Sequence, residues 1–176
     1  MMHGLTGGSD MNYIKELLRP ASEQGYHSVC MNSRGINNPM TSPMPFTGLS
    51  FTELETALET IYERHPMSPI YLVGASFGGN YLLRYLTRNK PTLSNIKGLV
   101  VLAPPINVGK VVSDMRPVYQ KFFVKRYCEE TVFKHKQMQY WEDIGLVSMK
   151  QVRAAQSLAE FHSALTAKIT GHEGAH

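Results

Sequence analysis

The sequence predicts an α/β fold in which central parallel strands carry flanking helices and are followed by a helical region. Two short apolar runs, residues 70–73 and 99–102, alternate with helical patterns, as parallel strands joined by crossovers do. From residue 111 onward, apolar residues recur only at helical spacing. The length of 176 residues and the hydrophobic content of 43% fit one globular domain with its own core.

The first predicted element is a helix over residues 11–24. Its apolar residues recur at helical spacing, Ser9 or Asp10 can cap its start, and Gly25 suits its end. Pro20 lacks the backbone N–H that a helix interior uses, so we expect it to kink or shorten the helix.

A short strand, an irregular segment and a second helix follow. Residues 27–31 favour a buried strand, and the three prolines within residues 36–48 favour irregular surface chain. Ser50 and Glu53 form a capping-box pattern, which predicts a helix over residues 51–64.

The strand–helix–strand pattern is clearest in the middle of the chain. Residues 70–73 predict a strand buried on both faces, residues 77–89 a helix, and residues 97–103 another buried strand that ends at Pro104. Such alternation implies parallel pairing through a crossover. The region from residue 111 is expected to be all helical.

Composition and charge exclude several classes of function. The 18 Lys and Arg against 14 Asp and Glu leave a net charge of +4, but these residues are scattered and form no basic stripe with interleaved aromatics. Nucleic-acid binding is therefore not expected. Cys30 and Cys128 form no C-x-x-C pattern, so we expect two structural thiols and neither a disulfide framework nor a zinc site.

No membrane span or leader is predicted from the sequence. The chain contains no run of about 18 apolar residues, and its start lacks the charged and apolar regions of a signal peptide. Location stays open between cytoplasmic and membrane-associated.

Residues 74–78, Gly-Ala-Ser-Phe-Gly, match G-x-S-x-G, in which small residues let a strand turn sharply into a helix with the serine exposed. The predicted strand and helix on either side are the context that this motif needs. Ser76 is then placed where the Phe77 amide and the positive end of the helix stabilise a developing oxyanion. A glycine-rich helix start without chemistry is the alternative.

Residues 3–8, His-Gly-Leu-Thr-Gly-Gly, are called the Gly-rich loop below. Loops of this kind let a backbone N–H approach a substrate carbonyl. An oxyanion hole needs two donors, and the amides of Leu5 and Phe77 can supply one each. The alternative is a tail remnant without a role.

With these motifs the chain resembles the YheT-type α/β-hydrolases, a family that includes the animal abhydrolase-domain proteins and the plant embryogenesis-associated proteins. The matching segments extend from residue 3 to about residue 170, so the resemblance covers nearly the whole chain. They are residues 3–7, 25–26, 32–35, 54–55, 62–66, 74–80 with 85–86, and 103–105.

The resemblance implies a partial α/β-hydrolase fold, with a core fragment over residues 1–110 and lid or cap helices over residues 111–176. It implies a serine carboxylesterase or lipase that acts on acylglycerols or phospholipids with medium or long acyl chains, through an acyl-enzyme on Ser76. No metal or cofactor is implied.

The same resemblance assigns the site. Ser76 is the nucleophile, and the Leu5 and Phe77 amides form the oxyanion hole. Arg34 buttresses the loop beside the oxyanion hole. The full set of residues that support the loop and the turn is His3, Gly4, Arg34, Gly74 and Gly78.

The triad of this fold runs Ser, then Asp or Glu, then His, each on a later strand, and no strand is predicted after residue 103. We therefore expect a fragment that lacks the acid and base, has little activity alone and exposes sheet edges. His172 superficially resembles a base in a Gly-His loop, but no strand precedes it, and His176 is a weaker candidate. The other candidates are expected to be surface or packing residues: His27, His65, His135, His162, Asp114, Asp143 and Glu160.

Two alternatives to an ester hydrolase remain, a non-catalytic truncated protein of the same fold and an alcohol acyltransferase. An acyl-ester lipid is the expected partner, with association at a membrane surface and no specific protein partner. Several apolar residues of the helical region can line an acyl pocket, although core packing is favoured: Phe122, Phe123, Met138, Tyr140 and Trp141.

Overall fold

The computed structural model describes residues 1–88 and 95–171. The chain divides into two compact units. The strand unit comprises Met1–Ser33 and Gly48–Ile106, and the helical unit comprises Arg34–Thr47 and Asn107–His176. The irregular segment over residues 34–47 thus belongs with the helices.

Two helices precede the sheet of the strand unit in sequence. Helix α1 (Asn12–Glu23) continues for three residues beyond Pro20, so the proline does not end it. The chain leaves the helix through Gly25, whose φ of +82° suits glycine. Helix α2 (Thr52–Arg64) begins with its first N–H donating to Ser50 Oγ at 3.2 Å.

The sheet consists of two parallel strands. Strand β1 (Ile70–Ala75) pairs with β2 (Ile96–Leu102), with a register shift between Ile70 and Tyr71. Helix α3 (Phe77–Arg88) lies between them in sequence and packs on both strands. The predicted parallel strands with a flanking helix are confirmed. The end predicted for the helix, Asn89, lies outside the described residues.

Residues 27–31, predicted to form a strand, pair only in part. Met2 bridges Met31 and also β1, both in parallel orientation, so the start of the chain lies between them. The Met1 amino group donates to Val29 O at 2.6 Å, and Met31 N–H donates to Met1 O at 2.9 Å. Within the described residues, Met31 is the one residue of this segment that forms a β-bridge, so residues 27–31 do not form a regular strand.

The strand over residues 70–73 was predicted to be buried on both faces and the strand over residues 97–103 to be buried, and both predictions of burial are wrong. Val101 faces α3, where its Cβ lies close to Gly79. On the opposite face of the sheet, Tyr71 is 53% exposed and Val100 is 56% exposed. Side chains of a strand alternate between faces, and α3 covers only one of them.

Helix α3 carries much of the core of the strand unit. Tyr81 and Leu82 are fully buried, and α2 contributes Leu54 and Leu58. The Tyr81 hydroxyl donates to Ser50 O at 2.8 Å, so this large side chain is buried with its polar atom satisfied. Burial raises the pKa of Tyr81 far above its ordinary value. These contacts anchor the helix that begins at Phe77.

The described part of the helical unit contains short helices and no strand. The α-helices are α4 (Val108–Asp114), α5 (Pro117–Tyr127), α6 (Tyr140–Asp143), α7 (Met149–Ala154), α8 (Leu158–Phe161) and α9 (Ala167–Thr170). A π-helical turn (Cys128–Val132) continues α5, a 3₁₀ turn (Lys136–Gln139) precedes α6, and a second π-helical turn (His162–Thr166) joins α8 to α9. The predicted helical character of the last third is therefore confirmed.

An apolar core holds the helical unit together. Its side chains include Met40, Val124, Cys128, Val132, Met138, Val147, Val152, Phe161, Leu165 and Ile169. Three side chains connect the irregular segment over residues 34–47 to this core. The Tyr127 hydroxyl donates to Phe46 O at 3.0 Å, and the Trp141 indole N–H donates to Pro43 O at 2.7 Å. His135 Nε2 hydrogen-bonds Gly35 O at 2.8 Å. Side chains thus satisfy backbone groups that a helix or sheet would otherwise satisfy.

Candidate active site

Ser76 lies at the sharp turn from β1 into α3. Its φ is +50°, in the left-handed region that residues other than glycine rarely adopt. Its N–H donates to Leu102 O at 2.7 Å, and its carbonyl accepts the Asn80 N–H at 3.1 Å, which starts the helix. The residue is exposed. A strained backbone therefore presents the Ser76 hydroxyl at the C-terminal end of β1, as the G-x-S-x-G motif predicts.

The glycines of the motif are needed because backbone segments approach one another closely here. A Cβ on Gly78 would lie 2.4 Å from His3 O and 2.6 Å from Met2 O. A Cβ on Gly74 would lie 2.6 Å from Gly79 Cα. At this turn the start of the chain packs against α3, and α3 packs against β1. Neither Gly78 nor Gly74 has room for a side chain.

The Gly-rich loop passes directly beside Ser76. A Cβ built on Gly4 would lie 3.3 Å from Ser76 Cβ. Leu5 follows Gly4 in the chain and Phe77 follows Ser76, so both amides belong to backbone segments close to the serine. The loop turns at Thr6, whose φ is +59°. The role of the Leu5 and Phe77 amides as oxyanion donors stays a prediction.

His3 is a buried positioning residue of this loop. It is 2% exposed, its Nδ1 donates to Gly4 O at 2.7 Å, and its Nε2 accepts the Ser33 N–H at 3.0 Å. These two bonds require the neutral ring with its proton on Nδ1. Burial lowers the pKa of His3, and this shift is opposed by the bond to Gly4 and by the charge of Asp10. With both nitrogens bonded to backbone, His3 holds the loop in place.

Two further contacts hold the Gly-rich loop and Ser9, the residue that follows it, and sequence reasoning missed both. The Tyr13 hydroxyl accepts the Gly4 N–H at 3.0 Å. Asn32 Oδ1 accepts the Ser9 N–H at 2.7 Å, and Asn32 Nδ2 donates to Ser9 Oγ at 3.1 Å. Asn32 belonged to a segment that matched the family, but its partner lies 23 residues away. No local pattern in the sequence indicates either contact.

Arg34 belongs to the helical unit. Its guanidinium donates to Met44 O at 2.8 Å and to Ser42 Oγ at 3.4 Å. These bonds stabilise the irregular segment over residues 34–47. The predicted support of the oxyanion loop by Arg34 stays a prediction.

The other histidines have varied surroundings. His27 and His65 are exposed, with ring centroids 5.8 Å apart. His135 is buried between backbone groups of the helical unit, and His162 has a buried Nε2 within a π-helical turn. His172 and His176 lie outside the described residues.

The acidic candidates of the helical unit lie at exposed helix positions, as expected. Asp114 pairs with Lys110 at 2.9 Å, Glu160 accepts the Gln156 N–H at 2.8 Å, and Asp143 is exposed. Within residues 1–88 and 95–171, no group of three or more His, Cys, Asp or Glu side chains is arranged to hold a metal ion.

The cysteines are two free thiols. Cys128 is buried in the core of the helical unit, where burial raises its pKa to about 11. Cys30 is half-buried, and burial raises its pKa as well. Thiols with raised pKa values are poor nucleophiles, in agreement with structural roles.

Over the described residues, no helix has the length and apolar content needed to cross a membrane.

The helix that starts at Phe77 supplies an electrostatic environment suited to an anion. It is 12 residues long, and its first turn contains no acidic side chain. The partial positive charge at its N-terminus is therefore not neutralised by a carboxylate of its own first turn. Developing negative charge beside Ser76 would be stabilised there.

The bonds of His3 predict a dependence of stability on pH. The folded state lowers the pKa of His3, so the unfolded chain binds the proton more readily than the folded chain. The contribution of His3 to stability is complete above about pH 6.5, the ordinary histidine value, and is lost as the pH falls through the lower folded value. As the pH is lowered from 8 to 5, the melting temperature should fall more steeply for the wild type than for His3→Phe. Equal slopes would contradict the neutral, doubly bonded ring.

The parallel sheet, the flanking helix and the serine at the strand-to-helix turn define an α/β hydrolase. The alpha/beta hydrolase fold family matches residues 1–137. The chain belongs to this family, and the resemblance to abhydrolase-domain proteins predicted from the sequence is confirmed.

Three relatives illustrate the similarity. Embryogenesis-associated protein EMB8 of Picea glauca is 36% identical over 94% of the chain and 37% of the relative. Phospholipase ABHD3 of Homo sapiens is 25% identical over 98% of the chain and 42% of the relative. Medium-chain fatty acid ethyl ester synthase/esterase 2 of Saccharomyces cerevisiae is 34% identical over 49% of the chain and 20% of the relative. The chain thus spans about two-fifths of the first two relatives. No solved structure gives a significant match.

Proposed function

We propose that Ser76 is the nucleophile of a serine hydrolase that acts on acyl esters of lipids. The observation that carries the proposal is the exposed Ser76 at φ +50°, with the Gly-rich loop packed beside it. An exposed serine hydroxyl beside a Gly-rich loop supports the proposal, because acyl transfer needs a nucleophile close to backbone N–H donors. The names of two relatives, a phospholipase and an esterase of fatty acid ethyl esters, support a lipid ester as the substrate.

In the proposed reaction Ser76 Oγ attacks the ester carbonyl carbon and gives up its proton. The carbonyl oxygen becomes an oxyanion between the Leu5 and Phe77 amides, where the N-terminus of α3 adds favourable potential. Collapse of this intermediate breaks the bond to the alcohol, which leaves with a proton, and the acyl group remains on Ser76. Water then attacks the acyl-enzyme, releases the fatty acid and restores the hydroxyl.

The proton of Ser76 must pass to a general base, and His3 does not fill this role. Its Nε2 already accepts the Ser33 N–H, and its Nδ1 proton is donated to Gly4 O. Protonation at Nε2 would break the first of these bonds and release the loop. The acid and base of the triad are therefore not assigned within the described residues.

Acyl transfer to an alcohol is a second candidate, favoured by the name of the yeast relative, which is called both a synthase and an esterase. Both reactions share the acyl-enzyme on Ser76 and differ in whether water or an alcohol attacks it. Medium or long acyl chains are the proposed acyl groups in either case.

Labelling with a fluorophosphonate probe, followed by mass spectrometry of the peptides, tests the proposal. The wild type should label at Ser76, because oxyanion stabilisation contributes on the order of 10³-fold acceleration over water even without a triad base. Ser76→Ala should not label, while Ser28→Ala, which changes an exposed serine of the same unit, should label like the wild type. Wild-type labelling no greater than that of Ser76→Ala would instead support the non-catalytic alternative.

A further inference from the structure

The outer face of α5 carries apolar side chains that folding does not bury. Val118 is 62% exposed and Phe122 is 54% exposed, and these residues lie one helical turn apart. The opposite face packs through Val124, only 3% exposed, and continues into Cys128 in the core. Helix α5 is therefore apolar on two sides, and only one of them is explained by the core of the helical unit.

Basic side chains flank the exposed apolar ridge. Lys121 and Lys125 lie one turn apart on one side of it, and Arg126 follows Phe122 by one turn on the other. Lys125 Nζ lies 3.8 Å from Glu129 Oε1, with both side chains more than half exposed, so this pair is weak. Long basic side chains beside an apolar ridge can bury their stems and direct their charges outward.

Helix α4 extends the same character. None of its residues is buried, although it contains Val108 at 38% and Val111 at 42% exposure. Gln120 on α5 donates through Nε2 to the carbonyls of Val112 at 3.1 Å and Met115 at 3.0 Å, which connects the end of α4 to α5. The two helices therefore form one connected element with exposed apolar residues on both.

The charge of this element is concentrated. Residues 107–127 contain five Lys or Arg and one Asp, an excess equal to the formal +4 of the whole chain. The rest of the chain is therefore balanced, and the excess positive charge lies on the segment that contains α4, Arg116 and α5, where valine, tyrosine and phenylalanine are exposed. Such a combination complements a surface that is negatively charged outside and apolar beneath.

We propose that the outer faces of α4 and α5 dock on the surface of a lipid bilayer that contains anionic lipids. Phe122 and the valines enter the boundary between headgroups and acyl chains, and the lysines and Arg126 bind the anionic headgroups. This contact does not use Ser76, but it would bring the chain to a surface where esters of lipids are found. It is therefore independent of the proposed chemistry.

Flotation of the whole chain with vesicles tests this docking. The chain should partition onto vesicles of phosphatidylcholine with about 30% phosphatidylserine at least about tenfold more strongly than onto phosphatidylcholine alone. Lys121→Gln combined with Lys125→Gln should weaken that binding about 25-fold, at about fivefold per basic residue. Phe122→Ser should weaken it about tenfold through loss of apolar burial.

Matched variants control for charge and apolarity in general. Lys136→Gln with Lys150→Gln removes two exposed lysines elsewhere in the helical unit, and Met67→Ser removes a side chain that is 93% exposed. Both should bind vesicles like the wild type. Circular dichroism should show a folded chain in every variant, and thermal unfolding should be unchanged in the lysine variants, whose altered side chains are exposed.

Three results would overturn the proposal. The first is equal partition onto neutral and anionic vesicles, and the second is unchanged vesicle binding by the α5 variants. The third is a chain that does not bind vesicles but either self-associates or binds an acidic polypeptide such as polyglutamate. If the α5 variants lose that association, this face is a protein interface. None of these measurements reads ester hydrolysis, so their failure is distinguishable from failure of the Ser76 proposal.

Discussion

Replacing Gly78 by alanine is expected to destabilise the strand unit by about 3 kcal/mol or more, at the upper end of what overpacking costs. The added Cβ would lie 2.4 Å from His3 O and 2.6 Å from Met2 O, and both are backbone atoms that cannot rotate away. Alanine in place of glycine within a helix is by itself favourable by roughly 0.5–1 kcal/mol, so the clash dominates. Denaturant titration monitored by circular dichroism measures the loss.

Gly109→Ala is the matched control for this substitution. Gly109 lies in α4, where an added Cβ would contact only Asn107 Oδ1 at an ordinary 3.5 Å. This variant should be as stable as the wild type or slightly more stable. A Gly78→Ala variant with the stability of Gly109→Ala would show that the chain start does not pack against α3 as described.

Replacing His3 by phenylalanine is expected to lower both stability and the reactivity of Ser76. Phenylalanine retains the volume of the ring but leaves the Ser33 N–H and Gly4 O without their partner. Stability should fall by about 2–6 kcal/mol, at about 1–3 kcal/mol for each of the two groups left unpaired. Labelling of Ser76 should slow on the order of 100-fold, because Gly4 and Leu5 lose the position that an oxyanion donor needs.

The two readouts separate positioning from simple stability. Labelling is compared at a temperature where both proteins remain folded, so a purely structural role for His3 would leave the rate unchanged. His27→Phe changes an exposed histidine of the same unit and should alter stability by less than about 0.5 kcal/mol. Normal labelling in folded His3→Phe would contradict the positioning role.

The secondary structure near Ser76 could be predicted because short-range patterns encode it. The apolar run of β1, the small residues of the turn and the amphipathic α3 lie within 19 consecutive residues, Ile70 to Arg88. Their order specifies a strand, a sharp turn and a helix without knowledge of distant residues. Burial could not be predicted in the same way. Tyr71 and Val100 are exposed because burial depends on which other segments cover a face.

The candidate site shows the same division. Ser76 and its glycines were identified from one motif, and His3 was identified as part of a supporting loop. The bond from the Ser33 N–H to His3 spans 30 residues, and the Asn32–Ser9 pair spans 23. The pairing of backbone groups with the ring nitrogens of His3 depends on how distant segments pack. The spacing of residue types along the sequence does not predict that pairing.

The order of elements, the serine at the turn and the membership of a hydrolase family could all be predicted before folding is considered, because they depend on residue types at fixed short spacings. Three other properties became evident from the folded chain. His3 is a neutral, doubly bonded support, the sheet exposes Tyr71 and Val100 on the face away from α3, and α5 presents apolar and basic side chains outward. These properties arise from contacts between segments far apart in the chain. The free energy of such contacts depends on geometry that exists only after folding.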